Sequence, residues 1–239
     1  MKGAQIMFKA ILWDVDGTLL DFKASESAAV KALFKEYSLG ECTDEMVKMY
    51  SAINDRYWEK LERNEMTKPE ILVGRFAEFF RELGIDPSIA HQFNKDYQDR
   101  LGDTIVYRDD SYDIVKSLKG RILQYVVSNG TTVAQTKKLR LSGFSELVDG
   151  VYLSESVGIE KPNIGFFEEI FRTLEGIAPE ELIIVGDSLT SDIKGGNNAG
   201  IPTCWYNPNG KRAGIEYRID YEISDLHDIY GIIGLKEEE

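Results

Sequence analysis

The feature that most limits what this chain can fold into is the distance between its first two strand-like segments. "MFKAILWDV", from Met7 to Val15, is short, apolar and rich in residues that favour a pleated sheet, and the next such run, "RILQYVVSN", does not begin until Arg121. Four more follow at short intervals: "LVDGVYLS" from Leu147, "ELIIVGD" from Glu181, "IPTCWYN" from Ile201 and "YEISDL" from Tyr221. Between most of them lie stretches of helical composition, among them "TTVAQTKKLRLSGF", "KPNIGFFEEIFRTLEG" and "SDIKGGNNAG". Near-continuous apolar strands alternating with helices predict a mostly parallel sheet covered on both faces, a Rossmann-like α/β core.

The gap has a different pattern. From Lys23 to Asp103 there is no convincing strand, only amphipathic helical patterns. Thr67 with Glu70 three residues later forms a capping box before a helix whose Leu72, Phe76, Phe79 and Leu83 share a stripe, and Gly84 ends it. Asp86 and Pro87 then start another helix. Roughly eighty residues far exceed what one crossover needs, so the spacing predicts an inserted all-α domain of about four helices. The expected division is a core of 1–21 and 104–239 and a helical domain of 22–103, with hinges near Leu20–Ala24 and Gly102–Tyr107.

Charge narrows the partners. A net charge of −13 on 239 residues argues against a nucleic acid polymer or an anionic membrane as ligand, because neither is met without basic patches. The two cysteines, Cys42 and Cys204, show no metal-ligating or disulfide-framework spacing, which fits a reducing cytoplasm. The opening "MKGAQIMFKAILW" is too short an apolar run, broken by Lys9 and followed at once by Asp14, to predict a signal peptide, and no stretch is long enough to span a membrane. The closing "KEEE" reads as a solvated tail. A monomer or a homodimer is expected.

The chemistry collects where the strands end. In open α/β sheets ligands bind beyond the carboxyl ends of the strands, and here those ends carry Asp14 and Asp16, then Ser128, Asn129 and Gly130, then Asp187 and Ser188. Three aspartates converging on one point repel one another, and a hard divalent cation with oxygen ligands, most simply Mg2+, resolves the repulsion. Asp14 and Asp16 would point to opposite faces of a continuous strand, so the strand must break near them, and Gly17 permits the break. One carboxylate beside the metal can attack phosphorus and give an aspartyl phosphate, while the other moves the proton. Ser128-Asn129-Gly130 offers a hydroxyl and backbone N–H groups, and Lys161 of "EKPN" offers a fixed positive charge.

"DVDGTLLD", "VVSNG", "GIEKPNIGFF" and "VGDSLTSDIKGGNNAG", in that order, resemble the four signature motifs of the haloacid dehalogenase superfamily of phosphohydrolases. The resemblance implies that Asp14 is the nucleophile and a magnesium ligand. It implies that Asp16 is the general acid/base and touches the metal through its backbone carbonyl. Ser128 is similar to the family's phosphate-binding Ser or Thr, Lys161 to its charge-neutralising lysine, Asp187 to a metal carboxylate and Asp192 to the second acidic residue around the metal. The expected phosphate-binding set is Gly17, Thr18, Ser128, Asn129, Gly130 and Lys161, and the expected metal set is Asp14, Asp16, Asp187 and Asp192. The helical insertion resembles a cap that closes over substrate. "RNEMT…GRF", "LSESVGIEKPN" and "SDIKGGNNAGIPTCWYN" are similar to bacterial 5'-nucleotidases acting on pyrimidine nucleoside monophosphates.

The expected activity is hydrolysis of a small-molecule phosphate ester. Alternatives are a phosphatase of another small metabolite such as phosphoglycolate or a sugar phosphate, a sugar phosphomutase, and a binding module on a retired enzyme fold. A true dehalogenase of this fold needs no metal and lacks the second aspartate, so Asp16 and Asp187 argue against it. Phe76, Phe79, Phe80, Tyr57 and Trp58 are expected to be core, whereas Arg75 is a candidate substrate contact. Asp21 has no expected chemical role; His91, His227 and the cluster "KRAGIEYR" read as surface, and Cys204 as a buried strand thiol.

Overall fold

A computed structural model describes residues 8–237. The first seven residues of the segment weighed against a signal peptide, and the last two of the acidic tail, lie outside the described residues. The six expected strands all form: β1 (Ala10–Trp13), β2 (Leu123–Ser128), β3 (Gly150–Leu153), β4 (Leu182–Gly186), β5 (Thr203–Tyr206) and β6 (Tyr221–Ile223). They make one parallel sheet in the order β3-β2-β1-β4-β5-β6. The chain winds outward from β1 on one side, then crosses to β4 and winds outward on the other. The reversal lies between β1 and β4, the position where open sheets of this kind bind ligands.

The register carries the strand ends to one edge. Trp13 pairs with Val126 on β2 and with Val185 on β4, so the residues just after these three strands lie side by side. β1 and β4 are buried along their whole length, as their unbroken apolar sequences require.

Contacts divide the chain into two compact units, one of residues 8–21, 107–132 and 142–237, the other of 22–106 and 133–141. The first holds the sheet. Among the described residues ten α-helices accompany the strands, α1 (Phe22–Glu36), α2 (Asp44–Glu62), α3 (Lys68–Glu82), α4 (Ala90–Arg100), α5 (Ser111–Leu118), α6 (Thr132–Leu141), α7 (Ser154–Val157), α8 (Ile164–Thr173), α9 (Lys194–Ala199) and α10 (Ile229–Ile233). In the α/β unit, α8 buries Phe166, Phe167 and Ile170 against Leu12, Val127 and Ile184 of the sheet.

In the helical unit α1 to α4 enclose an aromatic core. Phe34, Tyr50, Phe76, Phe79, Phe80, Phe93 and Tyr97 are fully buried, with Tyr50 stacked on Phe76 at 4.7 Å between ring centroids. The Thr67 amide and hydroxyl both donate to Glu70 Oε2, at 2.8 and 2.7 Å, and Gly84 past the end of α3 takes a left-handed φ of +69°.

The units do not follow the sequence boundaries everywhere. α6, expected in the core as a crossover helix, groups with α1 to α4, as do residues 104–106. Ala134 joins the aromatic cluster, Lys137 reaches Asp103 and Asp99 at 2.6 and 3.1 Å, and the Lys138 ammonium lies over the Phe22 ring. A run of helical composition gives the length of such a crossover but not which unit its buried side will face.

Candidate active site

β1 ends at Trp13, one residue earlier than a break between Asp14 and Asp16 requires, and the backbone after it turns tightly. Gly17 N–H donates to Leu20 O at 2.9 Å, and Leu20 N–H returns to Val15 O at 2.9 Å. Gly17 sits at φ +101°, and a Cβ there would lie 2.6 Å from the Asp187 carboxylate. The glycine is required twice, for the turn and for the space that Asp187 fills. Gly186, at the end of β4, supplies only space, for Asp192, whose carboxylate would lie 2.2 Å from an added Cβ.

Three carboxylates come together. Oxygens of Asp14, Asp187 and Asp192 lie within 4.8 Å of one another. Asp192 leaves a wide helical turn, Leu189–Ile193, that follows β4 and closes with Ile193 N–H on Ser188 O at 3.1 Å. The Asp16 carboxylate is not in that trio, although the metal set expected from the sequence includes Asp16; its backbone carbonyl is the group the resemblance offers to a metal.

Lys161 is the positive counterpart, 1% exposed. Its ammonium donates to Asp14 Oδ1 at 3.0 Å, to Asp192 Oδ1 at 2.7 Å and to Val127 O at 2.7 Å, which occupies all three of its hydrogens. Asp14 Oδ2 accepts from the Thr18 hydroxyl at 3.1 Å, and that hydroxyl accepts from Asp187 N–H at 3.1 Å. Asp192 Oδ2 accepts from Ser188 N–H at 3.1 Å. Each Asp14 oxygen thus holds one hydrogen bond and keeps a lone pair, and the plane of the carboxylate is fixed.

The electrostatics show what is missing from a balanced site. Burial, with Asp192 and Asp16 nearby, pushes Asp14 up to about 7 against the pull of Lys161. Burial and the neighbouring Asp14 and Asp192 likewise hold Asp187 well above the usual carboxylate range. Burial alone would lower the Lys161 pKa, yet Asp14 and Asp192 outweigh it and hold the ammonium above its ordinary value. Three carboxylates face one ammonium, an excess of negative charge that a divalent cation would offset. The donor set is all oxygen, which suits Mg2+ and not a softer metal.

The expected phosphate-binding set separates into two groups. Gly17 N–H and the Thr18 hydroxyl are spent inside the site, on the turn and on the two aspartates. Gly130 N–H donates to Ser128 Oγ at 3.0 Å. The Ser128 hydroxyl, 2% exposed at the end of β2, donates to no group among the described residues, so its hydrogen is available to an incoming oxygen. The Asn129 side chain is directed to the Lys161 peptide.

A sequence profile of the haloacid dehalogenase-like hydrolases matches residues 11–206. The chain belongs to this family. The HAD-hydrolase YfnB of Bacillus subtilis is 34% identical over 229 residues, which cover 96% of this chain and 97% of that protein. The pyrimidine 5'-nucleotidase PynA of Streptococcus pneumoniae is 34% identical over 94% of both chains, and a glyceraldehyde 3-phosphate phosphatase of Methanopyrus kandleri is 32% identical over 92% of both. A crystal structure of YfnB bound to magnesium has the same fold, with a TM-score of 0.90 at 33% identity, covering 96% of this chain and 100% of that one.

The other residues singled out in the sequence fall outside the trio. Arg75 is 1% exposed inside the helical unit, where it donates to Asn54 Oδ1 at 2.6 Å and Asn94 Oδ1 at 3.0 Å. Phe76, Phe79 and Phe80 are core, Tyr57 nearly so, and Cys204 is a buried strand thiol. His91 is exposed, and His227 pairs with Asp225 at the surface. Two residues escaped the sequence reading. Trp205 Nε1 donates to Asp187 O at 3.0 Å, and Lys211, inside the cluster read as a plain surface loop, favours the charged form of Asp187. Nothing in the local sequence marks either, because both depend on β5 lying beside β4.

Proposed function

We propose that this protein is a Mg2+-dependent phosphomonoesterase that works through an aspartyl phosphate on Asp14, with pyrimidine nucleoside 5'-monophosphates as its substrates. The reading is carried by the trio Asp14, Asp187 and Asp192 set against the single ammonium of Lys161. Asp14, Asp187 and the Asp16 backbone carbonyl would hold the cation, with Asp192 supporting its water shell. The bound cation supplies charge neutralisation for the phosphoryl oxygens and the carboxylates.

In the first step an oxygen of Asp14 forms a bond to phosphorus as the bond to the ester oxygen breaks, and Asp16 gives its proton to that leaving oxygen. In the second step a water gives its proton to Asp16 and attacks the same phosphorus. The bond to Asp14 breaks, inorganic phosphate leaves, and both aspartates return to their starting states. Lys161 holds the plane and charge of Asp14, and the Ser128 hydroxyl donates to a phosphoryl oxygen.

The substrate class rests on the likeness to PynA across nearly the whole chain, together with the motif likeness in both units. The Methanopyrus relative keeps a second reading in view, a phosphatase of a small sugar phosphate. One screen separates them: phosphate release with Mg2+ from pyrimidine monophosphates and from triose and sugar phosphates. Highest kcat/KM on the pyrimidine monophosphates is expected, and a preference for the sugar phosphates would overturn the substrate class. Asp14→Asn is expected to lower release on every substrate by roughly 10^4-fold or more, and undiminished turnover in that variant would overturn the mechanism.

A further inference from the structure

We propose that Asn129 is a positioning residue that sets the height of the Lys161 ammonium, and that its side chain does not act on the substrate. The inference rests on the reading of Lys161 as the charge that restrains Asp14. Three bonds carry it. Asn129 Oδ1 accepts from Lys161 N–H at 2.9 Å, Asn129 Nδ2 donates to Lys161 O at 2.8 Å, and the same amide nitrogen donates to Ser191 Oγ at 3.3 Å. The first two grip both sides of a single residue, as a neighbouring strand would, although neither Asn129 nor Lys161 lies in a strand.

The grip matters because it holds the Lys161 peptide itself, whereas the next carbonyl, Pro162 O, is held separately by Asn198 Nδ2 at 2.9 Å. Lys161 enters on an irregular segment between α7 and α8, and its side chain must cross to Asp14 and Asp192 with all three ammonium hydrogens matched. A shift of the Lys161 backbone would be transmitted along the stem and break one of those matches. Asn129 is 8% exposed and directly follows Ser128, so the strand end that carries the free hydroxyl also anchors the lysine. Its third bond reaches the turn that carries Asp192 one residue further on. One amide therefore ties together the ends of β2, the lysine segment and the Asp192 turn.

Asparagine is the residue this geometry selects. Aspartate keeps the acceptor for Lys161 N–H but sets an oxygen against Lys161 O, and glutamine adds a methylene to a buried contact. Alanine removes both bonds and leaves the Lys161 N–H and C=O to find others.

The test is a double-mutant cycle on phosphate release with Mg2+, using Asn129→Ala, Lys161→Met and the pair. Asn129→Ala alone is expected to lower kcat roughly 10- to 100-fold with KM changed less than about 2-fold, as a misplaced catalytic group does. In the Lys161→Met background the same substitution is expected to change kcat less than about 2-fold. An equal loss in both backgrounds would overturn the proposal, as would a rise in KM at unchanged kcat, which marks a direct phosphate contact. If Asn129→Ala does not fold, Asn129→Asp carries the same cycle with the same expectations. Failure of the underlying reading is distinguishable: Lys161→Met alone would then leave turnover unchanged.

Discussion

Glu26 and Arg75 in the helical unit, and Asp14 and Lys161 in the α/β unit, are all nearly inaccessible to water, yet the two units treat buried charge differently. Glu26 accepts from Ser51 and from Asn54 Nδ2, with Lys23 at 3.6 Å, and Arg75 donates to two asparagines and to Leu72 O. Each charge there has hydrogen-bonding partners of its own. In the α/β unit three carboxylates share one ammonium, and two of them are pushed well above the usual range. Charge matched by its own partners can stay buried, even at some cost; charge left in excess, at the ends of adjoining strands, waits for a ligand.

The largest expected effect of breaking that comparison is at Asp187. Asp187→Asn removes one member of the crowded trio, so the metal-free protein should gain about 1 kcal/mol of stability in denaturant unfolding. The same variant should lose roughly 100-fold or more in phosphate release with Mg2+. A loss of metal-free stability would show that the trio is not frustrated. In the helical unit the sign reverses. Arg75→Met leaves Asn54 Oδ1 without its donor, while Asn94 Oδ1 keeps the one from Gln98 Nε2 at 3.0 Å, and should cost about 2 kcal/mol by the same measurement, with no gain under any metal condition.

The same contrast explains what the sequence could and could not reveal. The α/β unit was legible because its strands are apolar throughout and its polar residues fall at their ends; six runs became six strands, and Asp14, Ser128 and Asp187 came to one edge. The helical unit was legible as helices, since a capping box and a 3.6-residue stripe are local signals. What escaped depends on partners distant in the chain. Arg75 looks like a free cation until Asn54 and Asn94 are seen beside it. Gly17 reads as a strand breaker, whereas the space it leaves for Asp187 is created 170 residues later, at the end of β4. Asn129 reads as a phosphate contact because its neighbour Ser128 does; only the fold turns its amide toward Lys161.

A smaller effect tests whether local signals in the helical unit act locally. Thr67→Ala removes the hydroxyl bonded to Glu70 at the start of α3 and should cost about 1 kcal/mol, seen as a lower unfolding midpoint at unchanged slope. Phosphate release should be unaltered at temperatures where the variant is folded. A change in kcat would mean that the cap of α3 is coupled to the chemistry and that the two units are not energetically separate.

The smallest effect sharpens the account of Glu26. Burial raises its pKa, against Lys23 and the Ser51 hydrogen bond, which lower it, so the folded state takes up the proton at a higher pH than the unfolded chain does. The cost of burying the charge is therefore complete above the folded pKa and fades as pH falls toward the ordinary glutamate value. Glu26→Gln carries no charge and avoids that cost at neutral pH, while keeping an oxygen for the Asn54 donor. Its stability relative to the unsubstituted protein should then be greatest near neutrality and decline steadily as the pH is lowered. Unfolding in denaturant at a series of pH values checks this. A difference that instead grew on acidification would mean the carboxylate is stabilised by its partners more than burial penalises it, and Glu26 would then hold an ion pair with Lys23 in the full sense.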